Sequence, residues 1–188
     1  MATDVELGWL ANAAYGNVLA VEEKEYMGPW TQLPDGEFQR SFLQHHWGVL
    51  AAWKLEDWTL GLSVFPRGAE LPVGVMAIGA KDFALAKSVS TGSWLLREWQ
   101  GRGLGKQMRT AVLHLAFHGL GATEARSSAS LLNQSSRGVS RALGYHEDGN
   151  TYNVLHGHRV EEVRLCCLRQ DFQPVCEVEV EGDRKSVV

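Results

Sequence analysis

Three glycines within five residues carry the strongest chemical signal in this sequence. Gly101, Gly103 and Gly105 lie in the run Gln100-Gly101-Arg102-Gly103-Leu104-Gly105-Lys106. Because glycine lacks a Cβ, backbone amides in such a loop can approach a bound anion closely. A helix beginning after the loop would add the partial positive charge of its N-terminus, and Arg102 and Lys106 would add formal charge. The run therefore predicts a pyrophosphate site.

Other phosphate-binding loops fit this run less well. A Walker loop would need glycine at position 100 and serine or threonine after Lys106, where the sequence has Gln100 and Gln107. A dinucleotide fingerprint counted from Gly101 would need its third glycine at position 106. One alternative stays open at this point, in which the glycines only permit a tight turn between a strand and a helix.

A second polar segment follows downstream, in which Asn133-Gln134-Ser135-Ser136 precedes Leu143-Gly144-Tyr145. The glycine run resembles the [Q/R]-x-x-G-x-[G/A] signature of the GNAT acetyltransferases, and the later segment resembles their N-x-x-S and L-G-[F/Y] motifs. Agreement in two separated motifs is more specific than agreement in one. The resemblance extends over about residues 3–172.

Within that family, the chain most resembles the branch that contains the ribosomal-protein alanine N-acetyltransferases. That branch also has Trp-Leu before its glycine loop, here Trp94-Leu95, and a closing strand like the segment from Val160 to Arg169. The resemblance implies a mixed α/β (α+β) fold. Its central sheet would be mostly antiparallel, flanked by helices and splayed where the cofactor enters.

The resemblance also implies a co-substrate, acetyl-coenzyme A (acetyl-CoA), and no metal. Carried over by position, the backbone amides from Leu95 to Arg97 would pair with the pantetheine arm. Asn133 would contact the pantetheine as well, and Ser136 would lie near the thioester sulfur. We predict that Ser136 donates a proton to the departing thiolate, and a hydroxyl that only caps the helix beside Asn133 is the alternative. The implied cofactor-binding residues are Leu95, Leu96, Arg97, Gln100, Gly101, Arg102, Gly103, Leu104, Gly105, Lys106, Asn133 and Ser136.

The general base is harder to assign from the sequence. Members of the family often carry glutamate in or near the strand before the glycine loop, but Ser90, Thr91, Gly92 and Ser93 occupy that stretch here. Asp82, reached from the preceding loop, and a water molecule are the remaining candidates. The predicted catalytic residues are therefore Ser136 and Asp82.

Tryptophans concentrate in the region that covers the acceptor in related enzymes. Trp30, Trp47 and Trp53, together with Ser93, are the predicted acceptor-binding residues, and Trp58 lies nearby in sequence. Ordinary core filling by these rings is the open alternative.

Two histidine pairs and three cysteines offer weaker chemistry. His114 and His118 have metal-ligand spacing, but Leu115 stands where a metalloprotease helix carries glutamate. His156 and His158 flank a glycine in a predicted loop. The cysteines, Cys166, Cys167 and Cys176, are odd in number and lack C-x-x-C spacing, which favours free thiols in a reducing cytoplasm.

Composition bounds the class of protein. A chain of 188 residues with 45% hydrophobic and 21% charged residues is typical of a soluble domain. Its 18 basic and 22 acidic side chains give a formal charge of −4, which argues against a general nucleic-acid surface. No segment is typical of a signal peptide or a membrane span, so we expect a cytoplasmic protein. A homodimer is left open.

Residue periodicity predicts the elements that position these side chains. The predicted helices span residues 4–14, 35–52, 104–118 and 133–143, and the predicted strands span residues 58–65, 71–78, 89–96, 123–129 and 160–169. In the helix after the glycines, Leu104, Met108, Ala111, Val112 and Leu115 form the apolar face. That pattern predicts outward positions for Lys106, Gln107, Arg109 and Thr110.

The chain is expected to form one domain over residues 1–172 and an acidic tail over 173–188. Family members usually begin with a strand, whereas this sequence begins almost at a helix cap, Thr3-Asp4-Val5-Glu6. The tail alternates over residues 175–181 as an edge strand does. It is expected to pair with a sheet edge of its own chain or of a partner, and a disordered tail is the alternative.

Three classes of function remain open. The first is an N-acetyltransferase that moves an acetyl group from acetyl-CoA to a primary amine, on a peptide or a small molecule, by direct attack in a ternary complex. The second is an inactive CoA-binding module with a regulatory or assembly role. The third is a nucleotide-binding protein that uses the glycine loop for another phosphate ligand.

Overall fold

A six-stranded sheet with helices on both faces organises the chain. The computed structural model describes residues 1–18, 29–155 and 157–181. The strands are β1 (Asp57–Ser63), β2 (Gly74–Lys81), β3 (Ser88–Leu95), β4 (Glu124–Ser130), β5 (His146–Leu155) and β6 (His158–Leu168). They lie in the order β1-β2-β3-β4-β6-β5, and every neighbouring pair is antiparallel except β3 and β4. The predicted fold class is confirmed.

Within the described residues, five α-helices flank the sheet: α1 (Asp4–Ala14), α2 (Glu37–Ala51), the short α3 (Phe83–Ala86), α4 (Leu104–His114) and α5 (Gln134–Ala142). A π-helical turn, Leu115–Gly119, continues α4. Helices α1 and α2 cover one face of the sheet, where Glu6 accepts a hydrogen bond from Ser63. Helices α4 and α5 cover the opposite face, where Arg109 contacts Ser93.

Strands β3 and β4 separate after a short contact. They pair only where Ser88–Ser90 faces Glu124–Arg126. Immediately beyond, the Ser127 hydroxyl donates to the Thr91 carbonyl oxygen at 3.1 Å, and no further backbone pairing joins the two strands. The V-shaped opening between Thr91–Leu95 of β3 and Ser127–Ser130 of β4 is called the wedge below.

The first helix begins where the sequence predicts it. The Thr3 hydroxyl accepts from the Glu6 amide at 3.3 Å, and the Glu6 carboxylate accepts from the Thr3 amide at 2.9 Å, which completes the capping box. Ahead of this cap, the Ala2 amide donates to the Gly61 carbonyl of β1 at 2.9 Å. This backbone bond lies beside β1, where the family resemblance implies a first strand.

Strand β5 was absent from the predicted elements. Its sequence begins with charged and turn-forming residues, His146-Glu147-Asp148-Gly149-Asn150, which do not alternate as a half-buried strand does. The register with β6 shifts between Glu147 and Asn150, and Gly149 has φ +84°. The bulge and the edge position explain the weak pattern, because an edge strand needs little apolar surface.

The prediction of which α4 residues point outward is partly wrong. Arg109 and Thr110 are 4% and 0% exposed, whereas Ala111, assigned to the apolar face, is exposed. Helix α5 and the segment after β6 pack on this side, so α4 is covered over a wider arc than a surface helix. Ser140 of α5 contacts Arg109, and the Val175 amide donates to the Thr110 hydroxyl at 3.4 Å.

The predicted edge strand over 175–181 does not form within the chain. The described residues of this segment have no strand assignment. Instead, the Gln173 amide donates to the Leu143 carbonyl, and Val175 lies against α4. Pairing with a partner chain, and the division into a domain over 1–172 and a tail over 173–188, stay predictions.

The half-buried imidazole of His46 gives a test of stability. His46 of α2 lies beside Gly61 of β1, and its ring centroid is 4.6 Å from that of Phe42. Burial, with a smaller contribution from neighbouring His45, lowers the pKa of His46 from 6.5 to about 4. Between these two values the unfolded chain binds a proton that the folded chain does not, so stability falls as the pH drops.

We expect His46→Gln to lessen that acid sensitivity. Between pH 7 and pH 4.5, the wild type should lose about 2 kcal/mol more of its unfolding free energy than the variant, as measured by urea unfolding. His146→Gln, at an exposed position of β5, is the control and should keep the wild-type dependence. Parallel pH profiles for wild type and His46→Gln would contradict the assignment.

Candidate functional site

A cavity of about 460 Å³ lies at the mouth of the wedge. It is bounded by β3, by the loop that contains the glycine run, and by the facing surfaces of α4 and α5. Its lining residues are Val18, Ser93, Trp94, Leu95, Gln100, Gly101, Gly103, Gly105, Lys106, Met108, Arg109, Asn133, Gln134, Ser135, Ser136, Gly138 and Val139.

Two glycines shape the loop at this cavity. Gly101 has φ +70° and Gly103 has φ +84°, both in the left-handed region that strains other residues. Gly103 is the N-cap of α4 and offers no side chain to its amides. The first amides of α4 therefore end beside the cavity without a side-chain cap, which is the arrangement that binds anions at helix N-termini.

The cations and the apolar residue of the run have different positions. Lys106 is exposed and lines the cavity. Arg102 is exposed and its guanidinium lies over the Trp99 ring, 5.3 Å from the centroid, outside the cavity lining. Leu104 is half-buried and packs against the core. Lys106 is thus the formal charge of the run that directly borders the cavity.

The Gln100 side chain links the glycine loop to two neighbouring segments. Its Nε2 donates to the Val18 carbonyl at 2.7 Å and to the Leu95 carbonyl at 2.9 Å. These bonds join the glycine loop both to the end of β3 and to the chain after α1. Gln100 also lines the cavity, but its side-chain donors are occupied by the protein.

The predicted pairing of three consecutive amides with pantetheine needs a correction. The Leu96 amide already donates to Val73 and the Arg97 amide to Asn17, each at 2.8 Å. Backbone amides along a strand alternate in direction. Because the Leu96 amide points toward β2, the amides of Leu95 and Ser93 point toward the wedge. The Leu96 and Arg97 amides are therefore occupied by the protein itself, whereas the Leu95 and Ser93 amides face the wedge, and the pairing of Leu95 with pantetheine stays a prediction.

Asn133 and Ser136 lie together at the start of α5. The Asn133 side-chain oxygen accepts from the Ser136 amide at 2.9 Å and from the Ser135 hydroxyl at 3.0 Å, so Asn133 is the helix cap. Ser136 is half-buried and lines the cavity. No hydrogen bond to its hydroxyl is found among the described residues. The hydroxyl does not cap the helix and is available to a ligand.

Asp82 lies far from this cavity. It follows β2, whereas Met76 of β2 pairs with Ser93 at the cavity. At about 3.3 Å per residue, the six residue steps from Met76 to Asp82 correspond to roughly 20 Å. The predicted general base is therefore at the opposite end of the strand, and we do not assign it a role in transfer.

The predicted acceptor residues separate in space. Ser93 lines the cavity, but the three tryptophans do not. Trp30 packs on Phe42 and Trp94, the Trp47 indole donates to Asp4 at 3.0 Å, and Trp53 is 45% exposed. The tryptophan that borders the cavity is Trp94, and Trp30 supports it from behind with 6.1 Å between ring centroids.

Arg109 is the lining residue that the sequence analysis placed wrongly. Its guanidinium donates to the Ser140 hydroxyl at 2.7 Å and to the Ser93 hydroxyl at 3.4 Å. A signal was present in the sequence, because Arg109 precedes Val112, Leu113 and Ala116 at spacings of three, four and seven, and all three are buried. Burial lowers the pKa of Arg109.

Tyr145 closes the inner end of the wedge. Its hydroxyl lies 3.3 Å from the Thr91 hydroxyl, and the side chain is 6% exposed. Burial raises the pKa of Tyr145 to about 12. The phenol is therefore neutral at physiological pH.

The parts of the chain that the structure describes contain neither a cluster of metal ligands nor a helix that could cross a membrane. Across residues 1–18, 29–155 and 157–181, no three His, Cys, Asp or Glu side chains are placed to hold a metal ion. None of the helices described is long and apolar enough to cross a membrane. His114 and His118 have ring centroids 4.7 Å apart; His156 lies outside the described residues, and His158 begins β6.

Comparison with known proteins identifies the family. The model of the acetyltransferase (GNAT) domain matches residues 4–146. Among solved structures, RimJ of Mycobacterium smegmatis, in complex with CoA-disulfide, superposes with a TM-score of 0.71 at 15% identity, covering 90% of this chain and 80% of that one. A mutant of the spermidine N-acetyltransferase SpeG from Vibrio cholerae superposes with a TM-score of 0.63 at 13% identity, covering 90% and 93%.

The brace formed by Gln100 generates a stability prediction. Gln100→Leu removes the donors that satisfy the carbonyls of Val18 and Leu95, so we expect the unfolding free energy to fall by about 1–3 kcal/mol. Thermal and urea unfolding would measure the loss. Gln107→Leu, at an exposed position of α4, is the matched control and should change stability by less than about 0.5 kcal/mol. Equal stability of the two variants would contradict the bracing role.

Proposed function

Because the chain belongs to the GNAT acetyltransferase family, we propose that it is an N-acetyltransferase that moves an acetyl group from acetyl-CoA to a primary amine. The observation that carries the proposal is the uncapped N-terminus of α4. This terminus opens on the same cavity as the free edge of β3. A phosphate group and an extended amide chain need these two features side by side, and coenzyme A contains both.

In the proposed complex, the pyrophosphate of CoA binds at Gly101–Lys106. The pantetheine arm lies along β3 and continues the sheet across the wedge, with the amides of Leu95 and Ser93 as its partners. Asn133 borders the arm from α5, where its side-chain nitrogen has no partner among the described residues. CoA in the complex of RimJ supports this choice of ligand through the shared fold.

The proposed transfer is a direct attack. The neutral amine adds to the thioester carbonyl, the bond between carbon and sulfur breaks, and the amine nitrogen loses a proton to water. The CoA thiolate takes a proton from Ser136, whose hydroxyl has no hydrogen-bond partner in the described part of the chain, and Ser136 is then reprotonated from solvent. Water replaces Asp82 as the proton acceptor because Asp82 lies roughly 20 Å from the cavity.

The acceptor is proposed to be a peptide N-terminus or another weakly basic amine. An α-amino group has a pKa near 8, against about 10.4 for a lysine-like amine, so more of it is neutral at pH 7. A site without a strong base favours such an acceptor. SpeG, by its name, acetylates the polyamine spermidine, which makes small amines the second group to test.

An inactive CoA-binding module is the second candidate. A specific observation favours it, because the lining residues of the cavity within the described part of the chain include no Asp or Glu. Binding of acetyl-CoA without release of free thiol, across a panel of peptides and small amines, would support this candidate. Thiol release that depends on an added amine would support the enzyme.

Replacement of Gly103 tests the pyrophosphate site. An added Cβ would meet no protein atom within 4 Å, so a side chain at this position projects into the space proposed for the ligand. We expect Gly103→Val to weaken CoA binding at least tenfold in calorimetric titration.

The control for this test is Gly121→Val. Gly121 also has a positive φ, +76°, and also has no atom within 4 Å of an added Cβ, but it lies outside the cavity lining. The two variants share the backbone strain, so a selective loss of affinity reports on the ligand. Unchanged affinity in Gly103→Val would exclude the pyrophosphate assignment.

Replacement of Ser136 tests proton donation to the thiolate. General acid help is typically worth about 10²- to 10⁴-fold in rate, so Ser136→Ala should lower turnover at least tenfold and leave the dissociation constant of CoA nearly unchanged. Ser128→Ala, on an exposed position of β4, should behave as wild type. Unchanged turnover of Ser136→Ala, with transfer shown to be rate-limiting, would reduce Ser136 to a structural residue.

A further inference from the structure

Arg109 is a buried cation that forms no ion pair with any of the described residues. The side chain is 4% exposed and borders the cavity. Of its five N–H bonds, one donates to Ser140 and one to Ser93, and Nε has no partner among the described residues. The ion pairs found in the described structure involve Arg126 and Arg137 instead.

Neighbouring groups do not neutralise this charge. Tyr145 is the nearby acidic group, but its pKa of about 12 keeps it protonated. Among the residues that the structure describes, none that lines the cavity carries a carboxylate. A buried guanidinium held only by two hydroxyls is costly to maintain, because desolvation of a cation is offset mainly by a paired anion. The described surroundings of Arg109 therefore contain no anion, and a bound ligand can supply one.

The position of Arg109 indicates which part of a ligand would supply this anion. Helix α4 begins at Leu104 beside the glycine loop, and Arg109 lies about 7.5 Å further along the helix axis. Its contact with Ser93 places it beside the part of β3 along which the pantetheine arm is proposed to lie. The pyrophosphate remains at the loop and the pantetheine arm carries no charge, so the part of an acyl-CoA that can bring an anion to Arg109 is the acyl group. An acetyl group carries no charge and cannot do so.

We propose that the acyl donor preferred by this protein carries a terminal carboxylate, as in malonyl- or succinyl-CoA, and that Arg109 binds this carboxylate. The inference rests on the proposed CoA site and changes only the acyl group that is transferred. The guanidinium fork matches a carboxylate in two parallel hydrogen bonds. Ser93 and Ser140 hold the guanidinium in position from the other side.

The reaction balances as in acetyl transfer. The amine nitrogen bonds to the thioester carbon, the bond to sulfur breaks, the amine releases a proton and the thiolate takes one up. The terminal carboxylate takes no part and is unchanged in the product. A cationic amine would thereby become an amide that carries a negative charge.

The first experiment uses the wild-type protein and compares succinyl-CoA with butyryl-CoA by calorimetric titration. The two donors have acyl chains of four carbons and differ in the terminal carboxylate, and free CoA serves as the reference for the rest of the ligand. We expect succinyl-CoA to bind at least tenfold more tightly than butyryl-CoA. Butyryl-CoA binding as tightly as, or more tightly than, succinyl-CoA would overturn the inference.

The second experiment uses Arg109→Met, which keeps much of the side-chain volume and removes the charge. Its affinity for succinyl-CoA should fall at least tenfold, while its affinities for free CoA and butyryl-CoA stay close to wild type. Arg109→Lys keeps the charge without the fork and should retain part of the preference. An equal loss for all three ligands would overturn the inference, because Arg109 would then act on the pantetheine or the thioester.

The outcomes separate this inference from the proposed function. If free CoA binds and the preference for succinyl-CoA is absent, only the inference fails. If neither CoA nor any acyl-CoA binds to the folded wild type, the proposed function fails and the inference fails with it. If Arg109→Met does not fold, the wild-type comparison of succinyl-CoA with butyryl-CoA still decides.

Discussion

The short parallel contact between β3 and β4 determines the rest of the architecture. Three residue pairs join the strands, and the Ser127 hydroxyl then takes the place of the next backbone bond to Thr91. Past that point β3 has amides without a strand partner, and α4 and α5 meet the opening from one face. The cavity, the free strand edge and the helix N-terminus all follow from this early separation of two strands.

The fold and the glycine loop were predictable because they depend on local signals. The capping box at Thr3, the left-handed positions of Gly101 and Gly103, and the cap at Asn133 are each set by a few neighbouring residues. The faces of α4 were less predictable. Arg109 is buried because α5 closes over it, and that contact joins residues from two helices that a window on one helix cannot include.

The assignments that failed depended on distance or direction. Asp82 is close to β3 in sequence but follows the far end of β2, and the pairing register alone separates it from Ser93. The amides of Leu96 and Arg97 follow that of Leu95 in sequence, but they donate hydrogen bonds to the carbonyls of Val73 and Asn17. The sequence motifs lie at the cavity, and the sheet register decides which backbone atoms of β3 face it.

The same strand separation has a consequence for the order of folding. The β1–β2, β2–β3 and β5–β6 pairs join neighbouring segments, whereas β3 and β4 meet only after the whole of α4 has been traversed. Contacts of long sequence separation cost more loop-closure entropy and tend to form later. The wedge is therefore expected to form late in folding. A ligand that bridged it would bind and stabilise mainly the native state. It therefore prolongs the lifetime of the folded chain, by slowing unfolding, without accelerating its formation.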